Sequence, residues 1–104
     1  MAWLMLVAAG VLEVVWAYSM KLSEGFTRPL YTLATVAGLI VSFALLATAM
    51  RSLPLGTAYT IWTGIGAVGS FIVGLCFLGE PATPMRILAA VIIIAGLVMM
   101  KLAS

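Results

Sequence analysis

Apolar residues run through this chain in long blocks, and most charged residues fall between the blocks. Positions 29–50 hold 22 residues without a charge, 52–79 hold 28, and 87–100 hold 14 more. The first twenty residues carry one charge, Glu13. A helix that spans a bilayer needs about 20 mainly apolar residues. The pattern therefore predicts four such helices, at about 2–21, 30–51, 56–78 and 84–102. Pro29, Pro54, Pro81 and Pro84 all fall in the connections. Proline is tolerated at the first helical turn and damaging further in. Thr83 before Pro84 reads as an N-cap followed by a first helical position. Residues 1–21 lack the basic n-region of a signal peptide and carry a Glu inside the apolar stretch, so they read as the first helix. The connections are too short to fold alone, which makes residues 1–104 a single all-α transmembrane domain.

Composition narrows the function classes. The chain is 65% apolar and 8% charged, against about 25% charged in an average soluble domain. That excludes a water-soluble globule and a disordered tail. A net charge of +2 offers no basic patch for nucleic acid. Histidine is absent and the acids are Glu13, Glu24 and Glu80 alone, which leaves little for enzyme chemistry. One cysteine, Cys76, excludes an internal disulfide or a cysteine metal site and reads as a small buried hydrophobe. No metal and no cofactor is expected. Lys21, Glu24, Arg28 and Glu80 read as solvated loop charges.

Charge also bears on orientation. Four helices put Arg51 and Lys101 on one side of the membrane and Lys21, Arg28 and Arg86 on the other. The positive-inside rule needs a clear excess to fix topology. Two against three is close to a tie, so the chain can insert both ways and an antiparallel dimer becomes available.

Glu13 is the residue to explain. It lies eight positions before Lys21, about 12 Å inside that end of the helix at 1.5 Å per residue. A carboxylate at membrane depth is a functional-site candidate by default; the alternative is a protonated Glu that only hydrogen-bonds a neighbouring helix. Trp16, Ala17, Ala9 and Gly10 share its face, the tryptophan supplying a flat π surface and the small residues room for another backbone. In the second helix Tyr31, Thr35, Gly38 and Ser42 form a small and polar stripe. Ser42 is placed to donate to a carboxylate at mid-depth, or to a carbonyl of its own helix one turn earlier. In the third, Tyr59, Trp62, Thr63, Gly66 and Ser70 recur at helical spacing.

Gly64 to Gly69 matches G-x-G-x-x-G, but no strand precedes it and it lies inside an apolar helix, so a dinucleotide site is rejected. Gly64, Gly66 and Gly69 instead read as positions of close packing or bending. Gly66, Ser70 and Gly74 form a small-residue seam. The fourth helix has no polar interior residue; Ala89 and Gly96, seven apart, mark a face for joining two copies, with lipid contact as the alternative.

Four helices barely enclose a pathway, and transporters place their sites at mid-membrane between inverted repeats. The halves of this chain are not self-similar, and a two-helix half does not invert relative to the next. The inversion has to come from a second copy, whose Glu13 would face the same cavity. Glu13 followed by Trp16, together with the run from Pro54 through Gly69, resembles the small multidrug resistance transporters, over essentially the whole chain. Trp16, Thr57 and Gly66-Ala67-Val68-Gly69 are similar to the subtype that exports guanidinium.

That resemblance implies an antiparallel, dual-topology homodimer in the plasma (inner) membrane that exchanges protons for guanidinium-type cations by alternating access. Glu13 would bind proton and substrate, with Trp16, Ser42, Tyr59 and Trp62 around the pocket. Gly10, Gly64, Gly66 and Gly69 would serve packing and conformational change, and Ala89 and Gly96 the dimer interface. The chemistry is apt, because guanidinium is planar, pairs bidentately with carboxylate and stacks on aromatic faces. The partners are then a second copy, the bilayer, protons and small organic cations. Alternatives are export of quaternary ammonium or aromatic cations, and a non-transporting membrane assembly subunit of the same fold. A rotary-ring proteolipid also carries a buried Glu, but resembles a two-helix hairpin.

Overall fold

The computed structural model describes residues 1–104, all helix and short connection. Helix α1 spans Ala2–Leu22, α2 Pro29–Ala49, α3 Leu55–Phe77 and α4 Pro84–Leu102. Each is long and apolar enough to cross a membrane. Pro29 and Pro84 occupy first-turn positions, where their missing N–H costs no intrahelical bond. Thr83 caps α4 by accepting from the Arg86 backbone N–H at 3.3 Å. Helix α2 stops at Ala49 rather than near 51. Leu53 precedes Pro54, which disfavours α-conformation there, so the chain unwinds earlier, through a turn in which Leu53 N–H donates to the Ala49 carbonyl at 3.0 Å.

The α1–α2 connection folds around Ser23, which is fully buried. Its hydroxyl donates to the Met20 carbonyl at 2.6 Å and accepts from Phe26 N–H at 3.0 Å. Glu24, Gly25 and Phe26 all take positive φ, a conformation that is uncommon away from glycine. After α3, Gly79 at φ 67 turns the chain back so that Glu80 N–H reaches the Gly74 carbonyl at 3.0 Å.

Helix α1 packs on α2 along one side and on α3 along another, while α2 and α3 approach each other closely only in part. The backbone of α4 approaches α3 alone. The core is Leu6 and Ala9 of α1, Leu46 and Ala49 of α2, and Ala58, Ile61 and Trp62 of α3. The Cα envelope measures 40 × 35 × 16 Å, a flattened slab about as tall as a bilayer is thick. Only 16 of 104 residues are buried, so most apolar helix surface must be met by lipid or by another chain.

Cys76 is exposed, not buried as its apolar setting suggested. It lies near the end of α3, where no helix covers it, and an apolar stretch in a membrane helix is as often lipid-facing as core.

Candidate cation site

The site forms where α1, α2 and α3 meet. Glu13 and Trp16 sit one turn apart on α1, and both side chains are half-buried. Glu13 Oε1 and Trp16 Nε1 are shut inside the packing without a hydrogen-bond partner from the protein. A buried polar atom left unpaired costs on the order of 1–3 kcal/mol, more for a charged group. The two atoms stand one turn apart, one an acceptor at membrane depth and one a donor.

Glycine allows the carboxylate its position. A Cβ at Gly66 would overlap the Glu13 carboxylate, and one at Gly38 would lie 3.0 Å from Trp16 Cβ. On the same α1–α3 seam, Gly10 admits Ile65 and Gly69 admits Val14, while Gly64 admits Leu97 of α4. At Gly10, Gly64, Gly66 and Gly69 a neighbouring helix thus comes within the space of a methyl group.

Ser42 is fully buried, and its hydroxyl is used twice within the protein. It donates to the Ala9 carbonyl of α1 at 2.7 Å and accepts from Trp62 Nε1 at 3.1 Å. So it bonds neither the Glu13 carboxylate nor its own helix, the two roles considered from sequence. It ties the three helices together at one level. Thr35, on the same α2 stripe, donates to its own helix at the Tyr31 carbonyl, 2.8 Å away.

Trp62 is 5% exposed. Its ring packs against those of Tyr59 and Phe43, with centroids 5.5 Å from each in tilted geometry. Tyr59 is 52% exposed and donates no hydrogen bond to Glu13. Thr63 turns outward, whereas Gly66 beside it is buried. Phe43 was not anticipated, because it stands one position after Ser42 and off the small and polar stripe; an aromatic neighbour of a buried serine was the available signal. Thr57 is remote from Glu13, its hydroxyl 3.3 Å from that of Ser104.

Ala89 and Gly96 stand away from this site on α4, where Ala89 borders a hollow shared with Ala67, Val68 and Phe71 of α3. Both are exposed, and a Cβ at Gly96 would meet nothing within 4 Å.

The family described as Small Multidrug Resistance protein matches residues 1–94. A protein of Escherichia coli (strain K12) named guanidinium exporter is 53% identical over 104 residues, covering 100% of this chain and 99% of that protein. Guanidinium exporters of Citrobacter freundii and Salmonella typhimurium are each 52% identical with the same coverage. With four membrane-spanning helices and a carboxylate held against Gly66 inside them, the chain is a multi-pass membrane protein and belongs to the small multidrug resistance family.

Proposed function

We propose that the protein is a proton-coupled antiporter that exports guanidinium and related small guanidinyl cations across the inner membrane. The observation that carries this reading is Glu13, the one acidic or basic residue away from the ends of any helix, with Oε1 unpartnered one turn from Trp16. A carboxylate accepts two parallel N–H bonds from a planar guanidinium, and aromatic faces at hand favour the same cation. Trp16, Tyr59 and Trp62 supply those faces, with Ser42 fixing Trp62. The full-length relatives named for guanidinium export favour this cargo over bulkier cations.

Coupling follows from competition at Glu13. The carboxylate holds a proton or a cation, not both, so loading one releases the other. A chain 16 Å thick is too thin to wall off a pathway from both faces. A second, inverted copy completes the cavity and brings a second Glu13 to it, which makes the two acids a coupled pair. The near-balance of Lys and Arg between the two ends supports insertion in both orientations. The exposed small residues Ala89 and Gly96 on α4 support helix-on-helix contact between copies.

Proteoliposomes containing only this protein test the reading. An inward guanidinium gradient should drive proton efflux, and added external protons should raise the guanidinium concentration needed for half-maximal rate. Glu13→Gln should remove coupled flux entirely while the purified protein keeps its helical content and assembly. Undiminished guanidinium-driven proton flux in that variant would end the proposal.

A further inference from the structure

We infer that the cleft between α1 and α3 at the Lys21 end of the molecule binds an anionic phospholipid. Its headgroup lies against Lys21 and Arg86, and an acyl chain follows the walls below. The cleft encloses about 350 Å³. Tyr18, Lys21, Ser70, Glu80 and Arg86 form its polar rim, and Val14, Ala17, Ala67 and Val73 its apolar walls. A second hollow shares Ala17, Lys21 and Leu78 with it and adds Glu24 and Arg28.

Charge pairing at this end leaves one cation over. Arg28 Nε lies 3.3 Å from Glu24 and Arg86 Nη2 lies 3.6 Å from Glu80, which uses both carboxylates. Lys21 has no acidic partner. Counting Lys21 and Arg86 against Glu80, the rim of the cleft carries a net charge of +1. Arg86 is held in place by other means. Its guanidinium donates from Nη1 to the Pro81 carbonyl at 2.6 Å and lies over the Phe71 ring at 5.0 Å from the centroid. A guanidinium has five N–H donors in a fixed fork, so donors remain for a phosphate oxygen. The Tyr18 and Ser70 hydroxyls add neutral donors.

Position selects a lipid over a soluble anion. Lys21 lies in the last turn of α1 and Arg86 in the first turn of α4, at the ends of apolar spans, which is where a spanning helix meets the lipid headgroups. The small-residue walls continue from there towards the apolar interior, where only an acyl chain is at hand. Basic pockets between transmembrane helices take anionic headgroups for this reason. The other end of the molecule lacks the arrangement. There Lys101 lies over the Trp3 ring at 4.6 Å, and the hollow beside it, about 280 Å³, has no second cation.

Native mass spectrometry of the detergent-purified protein gives the test. With phosphatidylglycerol and phosphatidylcholine of identical acyl chains supplied equally, the phosphatidylglycerol adduct should exceed the other at least fivefold. Lys21→Gln should bring the two to parity, with circular dichroism unchanged because Lys21 is exposed and unpaired. Arg51→Gln, which removes a cation from the opposite end, should leave the preference intact. Equal retention of both lipids, persistence of the preference in Lys21→Gln, or its equal loss in Arg51→Gln would overturn the assignment. So would retention of glycerol phosphate without chains, which would make the site one for a soluble anion.

Discussion

Helices α1 and α4 are both apolar spans of about twenty residues, yet the structure uses them oppositely. Helix α1 is packed on two sides, buries Leu6, Ala9, Gly10 and Ser19, and presents its carboxylate to a glycine on α3. Helix α4 buries Ala90 alone. It leans on α3 through Leu97 against Gly64 and reaches α1 by the Lys101 ammonium on Trp3. In lipid no hydrophobic force draws helices together, so close approach depends on small residues and on polar atoms that find partners. Helix α1 meets glycines across its interface and α4 meets one. The buried hydrogen bonds between helices are confined to the first three, and most of the α4 surface is left to serve an outside contact.

Placing a methyl group on each side of that contrast should give the largest and most separated effects. At Gly66 a Cβ overlaps the Glu13 carboxylate, which is the far end of a flexible side chain and can swing away. Gly66→Ala should therefore assemble normally but carry guanidinium on the order of a hundredfold more slowly, the scale of loss from displacing a reacting group by about 1 Å. Proteoliposome flux against a size-exclusion profile reads both halves. Wild-type flux would show that the carboxylate does not work from its position against α3.

Gly96 tests the other side. No atom of another helix lies within 4 Å of a Cβ there, so Gly96→Leu extends into open space within one protomer. If α4 joins two copies, the leucine forces their backbones apart, and the dimer dissociation constant should rise about tenfold, equivalent to roughly 1.4 kcal/mol. Single-molecule photobleaching in liposomes of stated protein density measures it. An unchanged dimer would return that face to lipid.

How much of this division was legible in the sequence is instructive. The four spans appear directly in the charge spacing, since a charged residue in a lipid-facing turn is expensive and so marks a boundary. Glu13 stands out for the same reason. The glycine contacts were legible as a density of small residues, but their partners were not: nothing in the sequence joins Gly66 to Glu13 rather than to Val14. Ser42 shows the limit most plainly. Its depth and its stripe were readable, yet a hydroxyl at a three-helix junction has several acceptors in reach, and only the relative rotation of α1 and α2 chooses the Ala9 carbonyl. The exposure of Cys76 is not legible at all, because hydropathy does not distinguish protein from lipid as the apolar neighbour.

Between these extremes lies the α1–α3 contact at Gly10. A Cβ there meets Ile65, at 2.8 Å from its Cβ. Because that neighbour is β-branched and stiff, it cannot yield as Glu13 can. Gly10→Ala should lower unfolding stability by about 1–3 kcal/mol, the usual cost of overpacking. Equilibrium unfolding in a denaturing detergent would read this, with transport falling only in proportion to folded protein. A stable but inactive variant would place Gly10 in the transport cycle rather than in packing.

The smallest expected effect concerns the bond that joins the three helices within the packed region. Ser42→Ala removes the acceptor for Trp62 Nε1 and the donor to the Ala9 carbonyl, and Trp62→Phe removes the indole donor while keeping an aromatic ring against Tyr59 and Phe43. Interhelical hydrogen bonds in membranes average about 0.6 kcal/mol and rarely exceed about 1.7, so each variant should fold. The double variant should cost less than the sum of the two by about 0.6 kcal/mol, since the second change has no bond left to break. Guanidinium affinity separates the two roles open to Trp62. If the indole only braces Ser42, Trp62→Phe should leave affinity within about twofold. If its face meets the cation, phenylalanine retains part of that attraction and leucine none, so Trp62→Leu should weaken binding by roughly threefold to thirtyfold relative to wild type and Trp62→Phe by clearly less. Equal loss in both would assign the tryptophan to packing, and would shift the aromatic recognition of the cation onto Trp16 and Tyr59.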